Sequence, residues 1–298
     1  MSTILSIQSL NKRYGKIHAV NNLTFDIEKG SVFGILGPNG SGKTTTLSII
    51  LSVVASDSGS FSWFGEPPSP ESRKRIGAIL EHPIFYPYMS AENNLKIIAD
   101  IKGVDPGDIE RVLKTVELYD RKDSKFKTYS YGMKQRLAIA GALLGNPEVL
   151  IFDEPTNGLD PKGIAAIREL IIDIANLGIT IILASHLLDE VQKTCSHVLV
   201  LNKGQKLFVG KTDEVLNVAD TIEIASGDLK QLQSALRNID FVGNLTRESD
   251  ILTLIIQNGK TVYDLNKILI NAGIIVTHLA KRKQSLEKQF LELLNENQ

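Results

Sequence analysis

Gly37-Pro38-Asn39-Gly40-Ser41-Gly42-Lys43-Thr44 fits the pattern G-x-x-x-x-G-K-[ST] without a mismatch. Ahead of it, Ser31 to Leu36 reads as a buried apolar strand, and behind it Lys43 to Leu51 reads as a helix. Strand, loop and helix in that order make a phosphate cradle. The glycines let the main chain curl so that successive N–H groups point at phosphate oxygens, and the helix N-terminus adds positive character. In such a loop Lys43 reaches the β- and γ-phosphates and the Thr44 hydroxyl binds Mg²⁺.

Working outward, Val149 to Phe152 and Ile179 to Ala184 read as further buried strands, with a helix from Pro161 to Asn176 between them. Strands alternating with helices predict a parallel sheet covered on both faces. The first of these strands delivers two adjacent carboxylates, Asp153 and Glu154, to its C-terminal end, where open α/β sheets bind ligands. Taken alone the pair also reads as an acidic turn. Beside a phosphate loop, Asp153 is the candidate to hold Mg²⁺ through water and Glu154 to polarise an attacking water.

Ile4 to Leu10 and Ala19 to Ile27 precede this core as antiparallel strands, and Val198 to Asn202 with Gln205 to Val209 follow it as a hairpin about Lys203-Gly204. Between strand Ile76 to Leu80 and strand Val149 to Phe152, three helical patterns (Ala91 to Lys102, Asp108 to Glu117, Gly132 to Leu144) predict an inserted helical subdomain over about residues 84–145. The punctuation changes near Val215 to Ala219. Beyond it the order is strand Thr221 to Ala225, helix Asp228 to Arg237, strands Phe241 to Thr246 and Ile251 to Gln257, helix Thr261 to Ala272, strand Ile274 to Ala280. That βαββαβ order predicts a small ferredoxin-like α+β domain over 217–298, against a first domain over 1–216. A last helix is expected from Ser285 to Leu294, its apolar face packing on its own domain or forming a dimer contact.

Composition narrows the setting. Of 298 residues 43% are hydrophobic and 22% charged, as in folded globular proteins. The 33 basic and 34 acidic side chains leave a net charge of -1, so no overall basic field gathers nucleic acid. Apolar runs are strand-sized, far from the ~18 residues of a membrane span. The opening residues show no secretory signal pattern and Cys195 is the single cysteine, which together lead us to expect a cytoplasmic protein. Cys195 itself reads as a packing thiol.

Seven features in fixed order resemble the ATP-binding cassette (ABC) ATPases over roughly residues 4–215: Tyr14, the Gly37 to Thr45 loop, Glu81, Ser130 to Gln135, Asp153-Glu154, Asn157-Gly158-Leu159-Asp160, and His186. The resemblance implies an α/β P-loop NTPase core with an N-terminal antiparallel β subdomain and an inserted helical subdomain. It implies ATP and Mg²⁺ as cofactors. Tyr14 then stacks on adenine, although a lone Tyr near a turn also reads as packing. Gly37, Pro38, Asn39, Gly40, Ser41, Gly42, Lys43, Thr44 and Thr45 hold phosphate. Thr44, Glu81 and Asp153 serve the metal. Glu154, His186 and Lys43 are the catalytic set, and His186 orients Glu154 and water.

Ser130-Tyr131-Gly132-Met133-Lys134-Gln135 resembles the family signature, in which Ser130 and Gly132 meet the γ-phosphate bound by a second subunit. It departs from the commonest Leu-Ser-Gly-Gly-Gln, with Tyr129, Tyr131 and Met133 replacing Leu, Gly and Gln. Asp160 then pairs with the opposite subunit, and as the residue before Pro161 it also fits a helix N-cap. Most members carry Gln where Glu81 stands. The Glu form, with Phe85-Tyr86-Pro87-Tyr88 behind it and Met-Lys-Gln in the signature, resembles the bacitracin-resistance and lantibiotic-immunity branch of ABC exporters. Phe85, Tyr86 and Tyr88 read equally as a socket for a membrane subunit's cytoplasmic helix and as packing under the inserted helices.

The implied protein is the ATPase subunit of an exporter of peptide antibiotic or another amphipathic compound. It works as a homodimer on separate integral membrane permease subunits, peripheral on the cytoplasmic face of the plasma membrane, with no nucleic-acid partner. The alternative is a soluble ABC ATPase acting on nucleic acid, ribosomes or cluster assembly.

Overall fold

A computed structural model describes residues 2–215, 221–257 and 259–282. The chain divides into two compact units, Met1–Thr212 and Asp213–Gln298. The expected helix from Ser285 to Leu294 and the stretch 216–220 lie outside the described residues.

The first unit opens with two long strands, β1 (Thr3–Tyr14) and β2 (Ile17–Glu28), paired antiparallel. Along β2, Leu23, Phe25 and Ile27 are buried while Thr24, Asp26 and Glu28 are exposed. That period of two is a sheet with one wet face. The phosphate loop follows β3 (Val32–Leu36) and opens α1 (Lys43–Ile50). Next comes β4 (Ser58–Trp63), which joins β1 to complete a three-stranded sheet ordered β2-β1-β4. Trp63 is fully buried and its Nε1 donates to the Ile50 carbonyl at 2.8 Å, tying that sheet to the end of α1. One core runs between this sheet and the central one, through Leu5, Ile7, Phe25, Ile35, Leu47, Trp63 and Ile151.

A short helix α2 (Pro70–Lys74), capped by Ser69, leads into β5 (Ile76–Ile79). The inserted helices are α3 (Ala91–Lys102), α4 (Asp108–Thr115) and α5 (Tyr131–Leu143). From Leu137 onward α5 is buried, because it lies hard against the central sheet: a Cβ on Gly77 would come within 2.1 Å of the Ala142 carbonyl oxygen. The core then continues through β6 (Val149–Asp153), α6 (Pro161–Asn176), β7 (Thr180–Ser185), α7 (Leu188–Thr194), β8 (His197–Asn202) and β9 (Gln205–Lys211). Its six strands are ordered β5-β6-β7-β3-β8-β9, all parallel except the edge strand β9. Every residue of β6 and β7 is buried, as for strands covered on both faces. Lys203 and Gly204 both take positive φ, the twist of a two-residue hairpin turn. Cys195 is buried against Gly34, and burial pushes its thiol pKa up, leaving it unreactive.

A four-residue helix α8 (Thr212–Val215) spans the start of the second unit. That unit contains β10 (Thr221–Ser226), α9 (Leu229–Arg237), β11 (Val242–Glu248), β12 (Ile251–Ile256), α10 (Val262–Asn271) and β13 (Val276–Arg282). Its sheet is antiparallel and ordered β11-β12-β10-β13, the ferredoxin-like arrangement. Ile222, Ile224, Leu232, Leu236, Leu252, Leu254, Leu265 and Leu269 form a separate core.

Candidate functional site

The loop between β3 and α1 is shaped by its glycines. Gly42 holds φ at 106°, and a Cβ there would sit 2.2 Å from the Ala19 carbonyl oxygen, so this turn admits glycine alone. Asn39 to Thr45 line a cavity of 260 Å³ together with Ile17, Ala19 and Glu154. Gly37 and Pro38 act from behind: Lys43 Nζ donates to the Gly37 carbonyl at 2.8 Å and the Pro38 carbonyl at 3.3 Å. Ser41 Oγ is buried with no hydrogen-bond partner among the described residues.

Strand order explains how the remaining groups meet. β7 lies between the strand that carries the loop and β6, which carries the carboxylates. Asp153 pairs with Ala184 in register, and the Glu154 N–H donates to the Ala184 carbonyl at 2.9 Å. His186, one residue beyond β7, is thereby brought alongside Glu154. Its Nδ1 lies 2.8 Å from Glu154 Oε2, and Lys43 Nζ lies 3.4 Å from Glu154 Oε1. The carboxylate is thus gripped at both oxygens. Glu154 takes a left-handed φ of 50°, costly for a residue with a Cβ and sustained by its surroundings.

Asp153 is 2% exposed, and its Oδ1 is buried without a hydrogen-bond partner among the described residues. Burial raises its pKa, the Thr44 hydroxyl bonded to it opposes, and the charges of Glu154 and Glu81 add to the rise. Glu81 sits on the exposed loop after β5 with φ 60°. A hydroxyl, an orphaned carboxylate oxygen and a second, exposed carboxylate are hard oxygen donors. The donor set fits Mg²⁺.

Two sets of expected residues lie elsewhere. Tyr14, 48% exposed at the end of β1, does not line the phosphate cavity; Ile17 and Ala19 on β2 do, and sequence reasoning passed over both. The only signal at Ile17 is an apolar residue left 68% exposed, which the sequence cannot reveal. Ser130, Tyr131, Gly132 and Asp160 line a separate cleft of 670 Å³ between α5 and α6. Ser130 Oγ caps α5 by accepting from the Met133 N–H, and Asp160 caps α6 by accepting from the Gly163 N–H. Among the described residues none lines both spaces.

The aromatic loop divides. Phe85 packs on Phe126 with ring centroids 5.0 Å apart, whereas Tyr86 and Tyr88 are 60% and 73% exposed. Phe85 also lines, with Leu80, Ile84, Ile98 and Ala138, a groove of 290 Å³.

A parallel sheet with a phosphate loop on one strand, two carboxylates on another and a histidine after the strand between them defines a phosphate-loop nucleoside triphosphatase. Comparison with known proteins narrows the class. A family profile described as ABC transporter matches residues 20–157. The bacitracin transport ATP-binding protein BcrA of Bacillus licheniformis is 36% identical, over 99% of this chain and 98% of that protein. The lantibiotic transport ATP-binding protein SrtF of Streptococcus pyogenes is 38% identical, over 73% and 95%. A solved ATP-binding cassette, dimeric and bound to ADP and phosphate after hydrolysis, matches with a TM-score of 0.63 at 26% identity, over 70% of this chain and 99% of that one. The chain belongs to the ABC transporter ATP-binding proteins: it binds and hydrolyses ATP to energise a transporter.

Proposed function

We propose that the chain powers an exporter of peptide antibiotic or another amphipathic compound, as a homodimer seated on separate integral membrane subunits at the cytoplasmic face. The carrying observation is the division of the site. The loop and Glu154 line one space, with Asp153 bonded to Thr44 and His186 to Glu154 beside it, while Ser130, Gly132 and Asp160 border another, so one chain does not bring both sets to one nucleotide. Two copies facing one another can, each offering Ser130 and Gly132 to the γ-phosphate held by the other. The dimeric relative supports this reading, as the bacitracin and lantibiotic relatives support the cargo class. Among the described residues no helix is long and apolar enough to cross a membrane, in keeping with separate membrane subunits.

In this site Tyr14 stacks on the adenine and the loop N–H groups hold the phosphates. Thr44, Asp153 and Glu81 would hold Mg²⁺, which neutralises phosphate charge when bound. Glu154 accepts the proton of the attacking water. His186, bonded to it through Nδ1, fixes the carboxylate's direction, and Lys43 bears the charge that grows on the γ-phosphate. Asp160 meets the facing subunit. The exposed Tyr86 and Tyr88, beside the groove of Ile84 and Phe85, receive the membrane subunit's cytoplasmic segment.

The experiment is Glu154→Gln. We expect ATP binding to persist, turnover to fall about 10²-fold or more, and ATP to trap a dimer visible by sedimentation. Wild-type turnover in this variant removes Glu154 as the base, and a monomer at saturating ATP removes the sandwich. Co-purification with a membrane protein, lost in Tyr86→Ser/Tyr88→Ser, tests the seat.

A further inference from the structure

Tyr131 stands where the commonest signature has glycine, and its ring has a specific neighbour. A Cβ placed on Gly158 would lie 3.4 Å from Tyr131 Cε1, 3.7 Å from Cζ and 3.9 Å from Oη. The hydroxyl-bearing edge of the ring therefore faces the side of Gly158 where a Cβ would stand, and Gly158 itself holds φ at 78°. The next residue returns the contact. Leu159 Cδ2 comes within 3.7 Å of a Cβ position on Gly132 and within 3.5 Å of one on Gly163. Tyr131 and Leu159 thus each face a glycine of the other's segment, setting the N-terminus of α5 beside the 157–160 loop.

That loop is continuous with the hydrolytic carboxylate. The Asn157 N–H donates to the Glu154 carbonyl at 3.1 Å, and Glu154 is bonded in turn to His186. A packed path runs from Glu154 through Gly158 to Tyr131, next to Ser130. The path ends at the donors this chain offers to its partner's nucleotide, and it begins at the group acting on its own.

We propose that Tyr131, packed on Gly158, is a positioning residue that holds the Ser130 and Gly132 donors in register with the 157–160 loop, so that each chain's signature turn follows the state of its own hydrolytic site. This rests on the two-copy site proposed above. Removing the ring leaves the signature turn free to move by about the width of the lost contact, and misplacements near 1 Å cost up to ~10²-fold in rate.

Three variants test it. Tyr131→Gly should lower kcat about tenfold and bring the Hill coefficient for ATP towards 1, with nucleotide affinity of the isolated chain unchanged, since the phosphate loop is untouched. Tyr131→Phe should retain wild-type kcat and cooperativity, because the ring edge is what packs. Gly158→Ala should couple to Tyr131→Gly, because its methyl would meet the ring at ordinary van der Waals distance while the positive-φ strain is common to both backgrounds and cancels. Matching unfolding midpoints by Trp63 fluorescence keep a folding defect out of the comparison. Wild-type kcat and Hill coefficient in Tyr131→Gly overturn the proposal, as does equal loss in Tyr131→Phe or strict additivity with Gly158→Ala. The dimer assay separates the two readings. A monomeric Glu154→Gln at saturating ATP removes the two-copy site itself, whereas equal dimerisation of Glu154→Gln with and without Tyr131→Gly removes the positioning role alone.

Discussion

Asp153 illustrates at the scale of one residue how a site can be built against stability. Its carboxyl is buried, one oxygen has no hydrogen-bond partner among the described residues, and burial raises its pKa above the ordinary value. The folded state therefore binds a proton more tightly than the unfolded chain does. Stability therefore falls as pH rises above the ordinary carboxylate value of 3.8 and through the raised folded value. Asp153→Asn removes that charge with little change of shape. We expect the variant to melt a few degrees above wild type at pH 7, by an effect on the order of 1 kcal/mol, and this advantage to shrink as pH is lowered towards 4. Mg²⁺-dependent ATPase activity should fall about 10²-fold. Calorimetry across pH checks the first, and a variant less stable than wild type at pH 7 contradicts it. The sequence announced Asp153 and Glu154 by their place after four apolar residues. It said nothing of Ile17 and Ala19, whose part depends on how β2 passes the loop, a contact between segments twenty residues apart.

At the scale of elements, α5 is capped at its start by its own preceding residue and held at its finish by a side chain from another helix. Ser130 caps its start, and Lys102, at the end of α3, donates to the carbonyls of Gly141, Ala142 and Leu144 at its finish. Burial lowers the Lys102 pKa to about 8, with the Asp108 charge opposing. Between pH 8 and the ordinary lysine value near 10.5 the unfolded chain carries a proton that the folded one has lost, so this group adds stability as pH rises through that window. Lys102→Met abolishes that dependence. The melting temperature of wild type minus that of Lys102→Met should grow from pH 8 to 10, and a difference that is flat or shrinking refutes the assignment. Gly77→Ala tests the same helix from the sheet side. Its methyl would meet the Ala142 carbonyl, and we expect a loss of about 3 kcal/mol or more by denaturant titration. The inserted helices were legible because their apolar periods and caps are local. Strand β4 was not: Ser58-Gly59-Ser60-Phe61-Ser62-Trp63 is half serine, Gly59 takes positive φ, and pairing with β1 makes it a strand.

The whole molecule consists of two units, each with its own core. The order of strands and helices in the second unit was readable because successive β and α segments are short and differ in period. The position of β7 between β3 and β6, which brings His186 to Glu154, is long-range and no local pattern encodes it. Where the first unit ends follows from its bonds. Thr212 is buried; its hydroxyl donates to the Cys195 carbonyl at 2.7 Å and its N–H to the Ser196 carbonyl at 3.0 Å, closing edge strand β9 onto the central sheet. The core residues of that unit lie between Ile4 and Leu201. A chain cut after Thr212 therefore keeps its core, its last strand and every group around the phosphate cavity. We expect residues 1–212 to fold alone, to keep the Trp63 unfolding transition within about 1 kcal/mol of the full chain, and to bind ATP with unchanged affinity. A cut after Gly204 removes β9, exposes the edge of β8 and leaves Val198 and Val200 uncovered on that side, so it should aggregate or lose several kcal/mol. If residues 1–212 fail to fold while the full chain does, the second unit supplies stability to the first, and the ATPase is not self-contained.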